Sequence, residues 1–458
     1  MKAIFVKFIA LFVLVSCGAK VDELDLQLDK KSNDEEIPSK ITTVGSIDLS
    51  FGGGDGYVIS SGSGAGDDDM RASAIDSNGK IVVVGEVDEG APNNVDISVW
   101  RFNSDGSLDT SFGGTGQVTY HSSGTYSEYA RAVTIDSNGK ILVAGSVEVS
   151  SNEDMIVLRF NPDGSLDSTF GGGDGVFTHD GAAGATGQTD YGSGIAIDAN
   201  QRIVVVGHSD SDSSGSIVLK ATAWRLNPNG TLDTSFNGVG YTAFGSVDTV
   251  VNSLAIDSSN NLLLGGYGIV GLGPEEIKLW KLNSNGTSDN GFGTNGVATY
   301  DGHGFSIDEA AYAIEMDSNE NILVTGEGYG DLVLLRYTPA GVLDNTFGVG
   351  GVVTHDDAAG GSGGDLGNDL IVDHEGKILV AGQSGNGSNG DLAIWKYNSD
   401  GTLDTSFNSV GYMTIDAAGG PSAHDEALSI NLDETGHIIV TGLMHNGSDN
   451  DAVIWKIK

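Results

Sequence analysis

Two stretches decide how this chain folds: Asn138-Gly139-Lys140-Ile141-Leu142-Val143-Ala144-Gly145, and then Arg159-Phe160-Asn161-Pro162-Asp163-Gly164-Ser165-Leu166-Asp167. In the first, a tight-turn dipeptide opens an apolar run that stops at glycine. In the second, a cation is followed by an Asx-Gly turn and a Leu-Asp phrase. Both recur along the whole chain. The Leu-Asp phrase leads to Phe51, Phe112, Phe170, Phe236, Phe292, Phe347 and Phe407, a spacing of 55 to 66 residues. Ahead of each turn an apolar stretch ends at Asp76, Asp136, Asp198, Asp257, Asp317, Asp373 or Asp433. Nine residues after each comes Gly85, Gly145, Gly207, Gly266, Gly326, Gly382 or Gly442. The third landmark is an aromatic or Leu followed by a cation: Arg101, Arg159, Arg225, Lys281, Arg336, Lys396 and Lys456. Seven matches to three landmarks define seven copies of one unit.

Each unit reads as strands. Around the first copy, Ser73 to Asp76 is a short strand and Ser77-Asn78-Gly79 a hairpin turn. Ile81 to Val87 is a second strand, apolar enough to be buried on both faces. Ile97 to Phe102 is a third, and after a Gly-rich link Gln117 to Tyr120 is a fourth. The expectation is an all-β, seven-bladed β-propeller of four-stranded antiparallel blades over residues 45–458. The first recognisable strand, Tyr57 to Ser60, is of the fourth type, and the last, Ala452 to Ile457, is of the third. Pairing them closes the ring with an N-terminal outer strand and removes a sheet edge.

The unit resembles the bacterial delta-60 repeat family, whose pattern runs through a D-G-K-I-L-V-A-G phrase to R-x-N-x-D-G-x-L-D-x-x-F-G. Residues 138–145 and 159–167 carry that resemblance, which extends over about residues 45–458. It implies a propeller-like fold on secreted or surface proteins and brings no catalytic residues with it.

The 458 residues include 63 Asp and Glu against 22 Lys and Arg, a formal net charge of −41. That balance argues against nucleic acid, which is bound by neutralising phosphates, and against electrostatic docking on anionic lipid. A single Cys excludes a disulfide framework and a Cys-based zinc site. Residues 1–16 read as a signal peptide, with Lys2 and Lys7 ahead of an apolar stretch. Leu14-Val15-Ser16-Cys17 resembles the bacterial lipobox, so Cys17 is expected to carry lipid and to hold the protein on the membrane of a bacterial cell envelope. Gly18, not Asp, follows it, which favours the outer membrane in a Gram-negative cell. Residues 17–44 read as the lipidated Cys and a flexible tether.

Several constellations have the residue types of a site. Eight residues before each first-strand Asp stand Asp68, Glu128, Asp190, Thr249, Glu309, Asp365 and Asp425. Six of the seven are acidic, so they are expected to cap loops, or else to form a carboxylate ring for Ca²⁺ or another cationic ligand at the channel. The recurring cations are expected to pair within the blade, as Arg101 with Asp109, rather than to form a basic ring. The Asn103-x-Asp105-Gly106 loops suit Asx turns and lack the acidic end of an EF-hand. Asp210-x-Asp212-x-x-Gly215 is a second partial match. His179 and His355 are expected at outer-strand ends, facing solvent. No His pair has zinc-enzyme spacing and no nucleophile elbow precedes a helix, so no catalytic residue and no cofactor is assigned.

Loops between strands two and three, and those entering strand one, vary in length, whereas the turns at the other end repeat. Both variable sets emerge on one face, and function resides in such grafted loops. The expected function is a non-catalytic binding or interaction propeller facing a protein, polysaccharide or cation. The alternative is an extracytoplasmic lyase or hydrolase working at the channel mouth, recognisable by Arg, His, Tyr and carboxylate side chains gathered there.

Overall fold

The computed structural model describes residues 47–60, 68–88, 95–122, 126–150, 152–212, 217–245, 248–269, 273–302, 308–361, 363–416 and 424–458. The expected signal peptide, Cys17 and the expected tether lie outside them. The described residues form seven four-stranded antiparallel sheets and no helix. The first contains Asp69–Ile75, Ile81–Asp88, Val95–Phe102 and Gln117–Tyr120, in that spatial order. The next five repeat it. The seventh is built from Asp425–Leu432, Ile438–His445 and Asn450–Ile457, with Tyr57–Ser60 as its outer strand. Tyr57 opposes Trp455 and Ser60 opposes Ala452, as expected from the two ends of the repeat. The first strand is longer than its sequence signal, beginning at Asp69 rather than at Ser73.

Second strands are buried on both faces: Ile81, Val82, Val83 and Val84 are at most 1% exposed. The reason lies in how the blades stack. Val82 and Val84 of the first blade pack with Phe112, and this cluster continues into Ala130, Ile141 and Val143 of the second. Hydrophobic cores therefore sit between blades, each buried Val or Ile side chain contributing about 1.5–3 kcal/mol. First strands contact the first strands of both neighbouring blades all round the ring, from Asp69–Ile75 back to Asp425–Leu432. They are the inner wall.

Every inner strand carries a β-bulge at the same place, between Met70 and Ala72 in the first blade and between Ala130 and Ala132 in the second. The remaining five repeat it. The bulge explains the glycine landmark. A Cβ on Gly85 would lie 1.9 Å from the Asp69 carbonyl oxygen, and one on Gly145 would lie 1.8 Å from that of Tyr129. Only glycine lets the second strand pass that close, so the same residue type returns in all seven copies.

The antiparallel order separates two faces. Hairpins such as 76–80 and turns such as 103–116 lie on the short-turn face. The connections leaving the second and fourth strands lie on the opposite, long-loop face.

Candidate functional site

On the short-turn face the recurring cations serve the blades. Arg101 donates through Nε to Asp109 at 2.7 Å and through Nη1 to the Pro162 carbonyl of the next blade at 2.5 Å. Its guanidinium lies 4.8 Å over the Phe112 ring. Arg159, Arg225 and Arg336 repeat this triple contact, reaching the carbonyls of Pro228, Ser284 and Ser399. The expected pairing with the Leu-Asp carboxylate thus holds for the four arginines. It is corrected for the lysines: Lys281, Lys396 and Lys456 pair with the hairpin carboxylates Asp257, Asp373 and Asp433 at 3.1, 3.6 and 2.9 Å. Lys456 still reaches the Ser104 carbonyl of the next blade at 3.2 Å, but an ammonium lacks the planar fork that locks an arginine onto the Leu-Asp carboxylate, so the lysines settle on the hairpin acid instead.

Asx turns account for the Asn-x-Asp-Gly loops: Ser107 donates N–H and Oγ–H to Asp105 Oδ1 at 3.0 and 2.7 Å. In the third blade, Asp210 likewise takes the Asp212 N–H at 3.0 Å and the Val218 N–H at 2.9 Å. Shallow cavities of about 250 and 560 Å³ lie between hairpins on this face. Lys80, Arg101, Lys140 and Arg159 line them, all in the service of blade pairing.

The carboxylates singled out from the sequence are on the long-loop face. Asp68, Glu128, Asp190, Glu309, Asp365 and Asp425 are buried, at 0–3% exposure, where the inner strands begin. Glu128 accepts the Ser122 N–H at 3.0 Å, Asp190 that of Gly181 at 2.9 Å, Glu309 that of Gly302 at 3.1 Å and Asp365 that of Ala358 at 3.4 Å. These donors follow the outer strand of the preceding blade, so each carboxylate ties down the loop that crosses between blades. Asp425 instead takes the His445 N–H at 3.1 Å, and Thr249 accepts from Ala221 at 3.0 Å. No three of the six carboxylates bring oxygens within 4.8 Å of one another among the described residues.

What the structure brings to them is a second and a third residue at each seam. Ile97 opposes Tyr120 across the third and fourth strands, which sets Asp96 beside His121, just ahead of Glu128. The same three positions hold Asp154, Asp180 and Asp190 at the next seam, and Asp391, Asp416 and Asp425 at the sixth. One seam lacks acid at all three, carrying Lys220, Gly245 and Thr249, and there Lys220 Nζ donates to the Gly245 carbonyl at 3.2 Å. Sequence reasoning missed this set. Its signal is an acid five residues before the recurring cation: Asp96, Asp154, Glu276, Asp331, Asp391 and Asp451.

Electrostatics divides the faces. On the short-turn face, against the pull of burial, Lys80, Ser111 and Arg101 hold Asp109 well below the usual carboxylate range. Ser406 and Lys377 bring Asp404 down to about 2. On the long-loop face burial pushes Asp190 up to about 6, and burial with Asp416 and Asp425 pushes Asp391 up to about 7. Burial also raises Glu128, Asp154, Glu275 and Glu327.

The bulge residues are a second feature that sequence reasoning missed. Arg71, Arg131, Ser193, Asn252, Tyr312, Asn368 and Leu428 are half-buried side chains on the inner wall, five residue types over seven blades. A bulge re-aims its side chain, and here it reaches the neighbour. Arg131 lies 3.2 Å from Glu86 of the preceding blade, and Asn368 donates to Glu426 of the following one at 2.7 Å. Arg71 lies 3.4 Å from the same Glu86, whose carboxyl burial and Asp69 push up to about 7 against the two guanidiniums. Tyr129 lies under Arg131, at 5.5 Å. Tyr191 stacks on His208 at 4.9 Å. Burial and its bond to Glu153 raise the Tyr191 hydroxyl, while burial lowers His208 to about 4.

The solvent-facing expectation for two histidines is corrected. Trp224 of the next blade donates Nε1–H to His179 Nδ1 at 3.3 Å, and Tyr241 packs 4.6 Å away. His355 is wedged beside Trp395 and Tyr412, with Asp365 at 3.3 Å. Blade stacking covers outer-strand ends that a single repeat would leave open.

Fold and repeat together define a β-propeller repeat protein. Residues 77–112, 137–170, 199–236, 258–292, 318–347 and 376–407 match the family described as "Domain of unknown function (DUF5122) beta-propeller". No curated protein matches the sequence. Among solved structures, a catalytically inactive virginiamycin B lyase from Staphylococcus aureus with quinupristin is similar at 11% identity and a TM-score of 0.46, over 87% of this chain and 98% of that one. Trypanosoma rangeli sialidase in complex with sialic acid aligns at 12% and 0.40, over 88% and 57%. Chaetomium thermophilum Sqt1, bound to the N-terminus of the ribosomal protein L10, aligns at 11% and 0.44, over 86% and 97%. Enzymes and non-enzymes stand side by side at these identities, so the likeness is one of fold.

Proposed function

We propose that this protein is a non-catalytic binding propeller of the bacterial cell envelope, lipid-anchored through Cys17, whose long-loop face takes a positively charged partner. One observation carries the reading. Acids of the short-turn face such as Asp109, Asp167 and Asp404 are held by cations, whereas the long-loop face buries a carboxylate at six seams, and burial with neighbouring acids raises Glu128, Asp154, Asp190 and Asp391 there. A cationic partner docking there relieves that repulsion, and a net charge of −41 steers it in. Tyr191 and His208 support a binding role, because both are shifted away from the range in which an acid or base works near neutrality.

The test is fluorescence anisotropy with labelled oligolysine against oligoglutamate at about 0.15 M salt. Saturable oligolysine binding that weakens after Asp391→Asn with Asp416→Asn is expected. Equal weakening after neutralising Asp105 and Asp163 of the other face overturns it. Cys17→Ser is expected to move the protein from the membrane to the soluble fraction and to abolish fatty-acid labelling.

A second reading, a lyase or hydrolase at the channel mouth, is favoured by Glu86 alone, the inner-wall carboxyl near 7 set between Arg71 and Arg131 with Tyr129 close by. Its mark would be turnover of an acidic polysaccharide that Glu86→Gln removes while the variant remains folded at the assay temperature.

A further inference from the structure

The geometry points to a divalent transition-metal site at the first seam, made by Asp96, His121 and Glu128 on the long-loop face. Their ligand atoms all lie within 4.8 Å of one another, and no other trio of His, Cys, Asp or Glu does so among the described residues. His121 Nδ1 is 2.9 Å from Asp96 Oδ1 and 3.9 Å from Glu128 Oε2. Three sequence-distant strands of two blades converge here: Asp96 is in the third strand of blade one, His121 follows its fourth, and Glu128 opens blade two.

Glu128 supplies the independent observation. Its side chain is fully buried, and while Oε1 takes the Ser122 N–H, Oε2 has no hydrogen-bond partner at all. A buried carboxylate oxygen without a donor is costly, and such an atom calls for a cation or a bound water. Oε2 faces the imidazole and the second carboxylate, which suits a metal.

The donor set selects the ion. An imidazole nitrogen with two carboxylate oxygens suits Zn²⁺ and its first-row neighbours, whereas Ca²⁺ takes oxygen ligands only. The corresponding seam at Asp391, Asp416 and Asp425 has oxygen donors alone and is the internal control. Three protein ligands leave a position for water or for a donor atom of a partner, on the side where His121 is 43% exposed. The calcium expectation for the six carboxylates thereby narrows to one of them and changes metal. This inference does not rest on the cationic-partner reading, since it needs only one seam.

The full chain, stripped with chelator, is titrated with Zn²⁺ and separately with Ca²⁺, by calorimetry and thermal melting. One tight equivalent of Zn²⁺ with a raised melting temperature is expected, and no comparable Ca²⁺ event. His121→Ala removes that equivalent with only a small change in the melting temperature of the metal-free protein, because the side chain is 43% exposed. Glu128→Gln keeps the Ser122 contact and weakens Zn²⁺ binding at least tenfold. Asp391→Asn leaves the tight equivalent intact. Co²⁺ in place of Zn²⁺ gives a visible ligand-field spectrum that His121→Ala abolishes. Absence of a tight Zn²⁺ equivalent in the wild type, or its survival in His121→Ala, overturns the site, and neither result bears on oligolysine binding.

Discussion

Arg225 is among the most deeply buried charged side chains of the molecule, 1% exposed, and it holds three things at once. Asp233 accepts from it at 2.8 Å, the Ser284 carbonyl of the next blade accepts from it, and Phe236 lies beneath it at 4.6 Å. Removing one partner of such a pair leaves a buried charge, a cost of about 3–5 kcal/mol that Arg202, 3.5 Å from Asp233, brings to the lower end. Arg225→Ala is therefore expected to lower stability by about 3 kcal/mol in urea unfolding, and Arg225→Lys to recover less than half of that. The pairing was legible in the sequence because it is local: Asp233 stands eight residues from Arg225 and two from Ser235. The seam acids were not. Asp96 and Glu128 lie 32 positions apart in different blades, and only the register of Ile97 with Tyr120 sets His121 between them. Nor were the bulge residues, since a period-2 reading of the inner strand has no place for an extra residue.

At the scale of elements, ring closure was readable from strand types alone, and it centres on Tyr57–Ser60. Tyr57 packs on Trp455 with centroids 4.5 Å apart, and Lys456 N–H donates to the Gly56 carbonyl at 3.0 Å. Without this strand, the edge of Asn450–Ile457 and the side chains of the last core cluster meet water. Deleting residues 1–60 is expected to cost several kcal/mol more than deleting 1–44, read as a lower melting temperature. Equal melting of the two truncations contradicts the role of the strand. The inner strands teach a complementary lesson. In the first blade the apolar pattern marks a strand only from Ser73, whereas the strand begins at Asp69, because Arg71 at the bulge breaks that pattern.

For the whole molecule, two sets of carboxylates impose opposite pH dependences. Asp404 and Asp48, each held near 2, contribute stability above the unfolded carboxylate range, and it is lost as pH falls through their folded values. Glu86, Asp190, Asp369 and Asp391, raised to between about 6 and 7, hold protons more tightly folded than unfolded. Their contribution is present at low pH and lost as pH rises towards 7. His208, lowered to about 4, works the other way but is outnumbered. The melting temperature is expected to be higher at pH 5 than at pH 8, and Asp391→Asn is expected to raise it more at pH 8. A curve that climbs from pH 5 to pH 8 contradicts this balance. The closing strand has one more consequence, a mechanical one. Ile47 bridges to Ile457 and Asp48 N–H bonds the Lys456 carbonyl before Tyr57–Ser60 joins the sheet. A pull along the N-terminal segment thus arrives first at the joint between the two ends of the ring, leaving the other six sheets unloaded until that joint has parted.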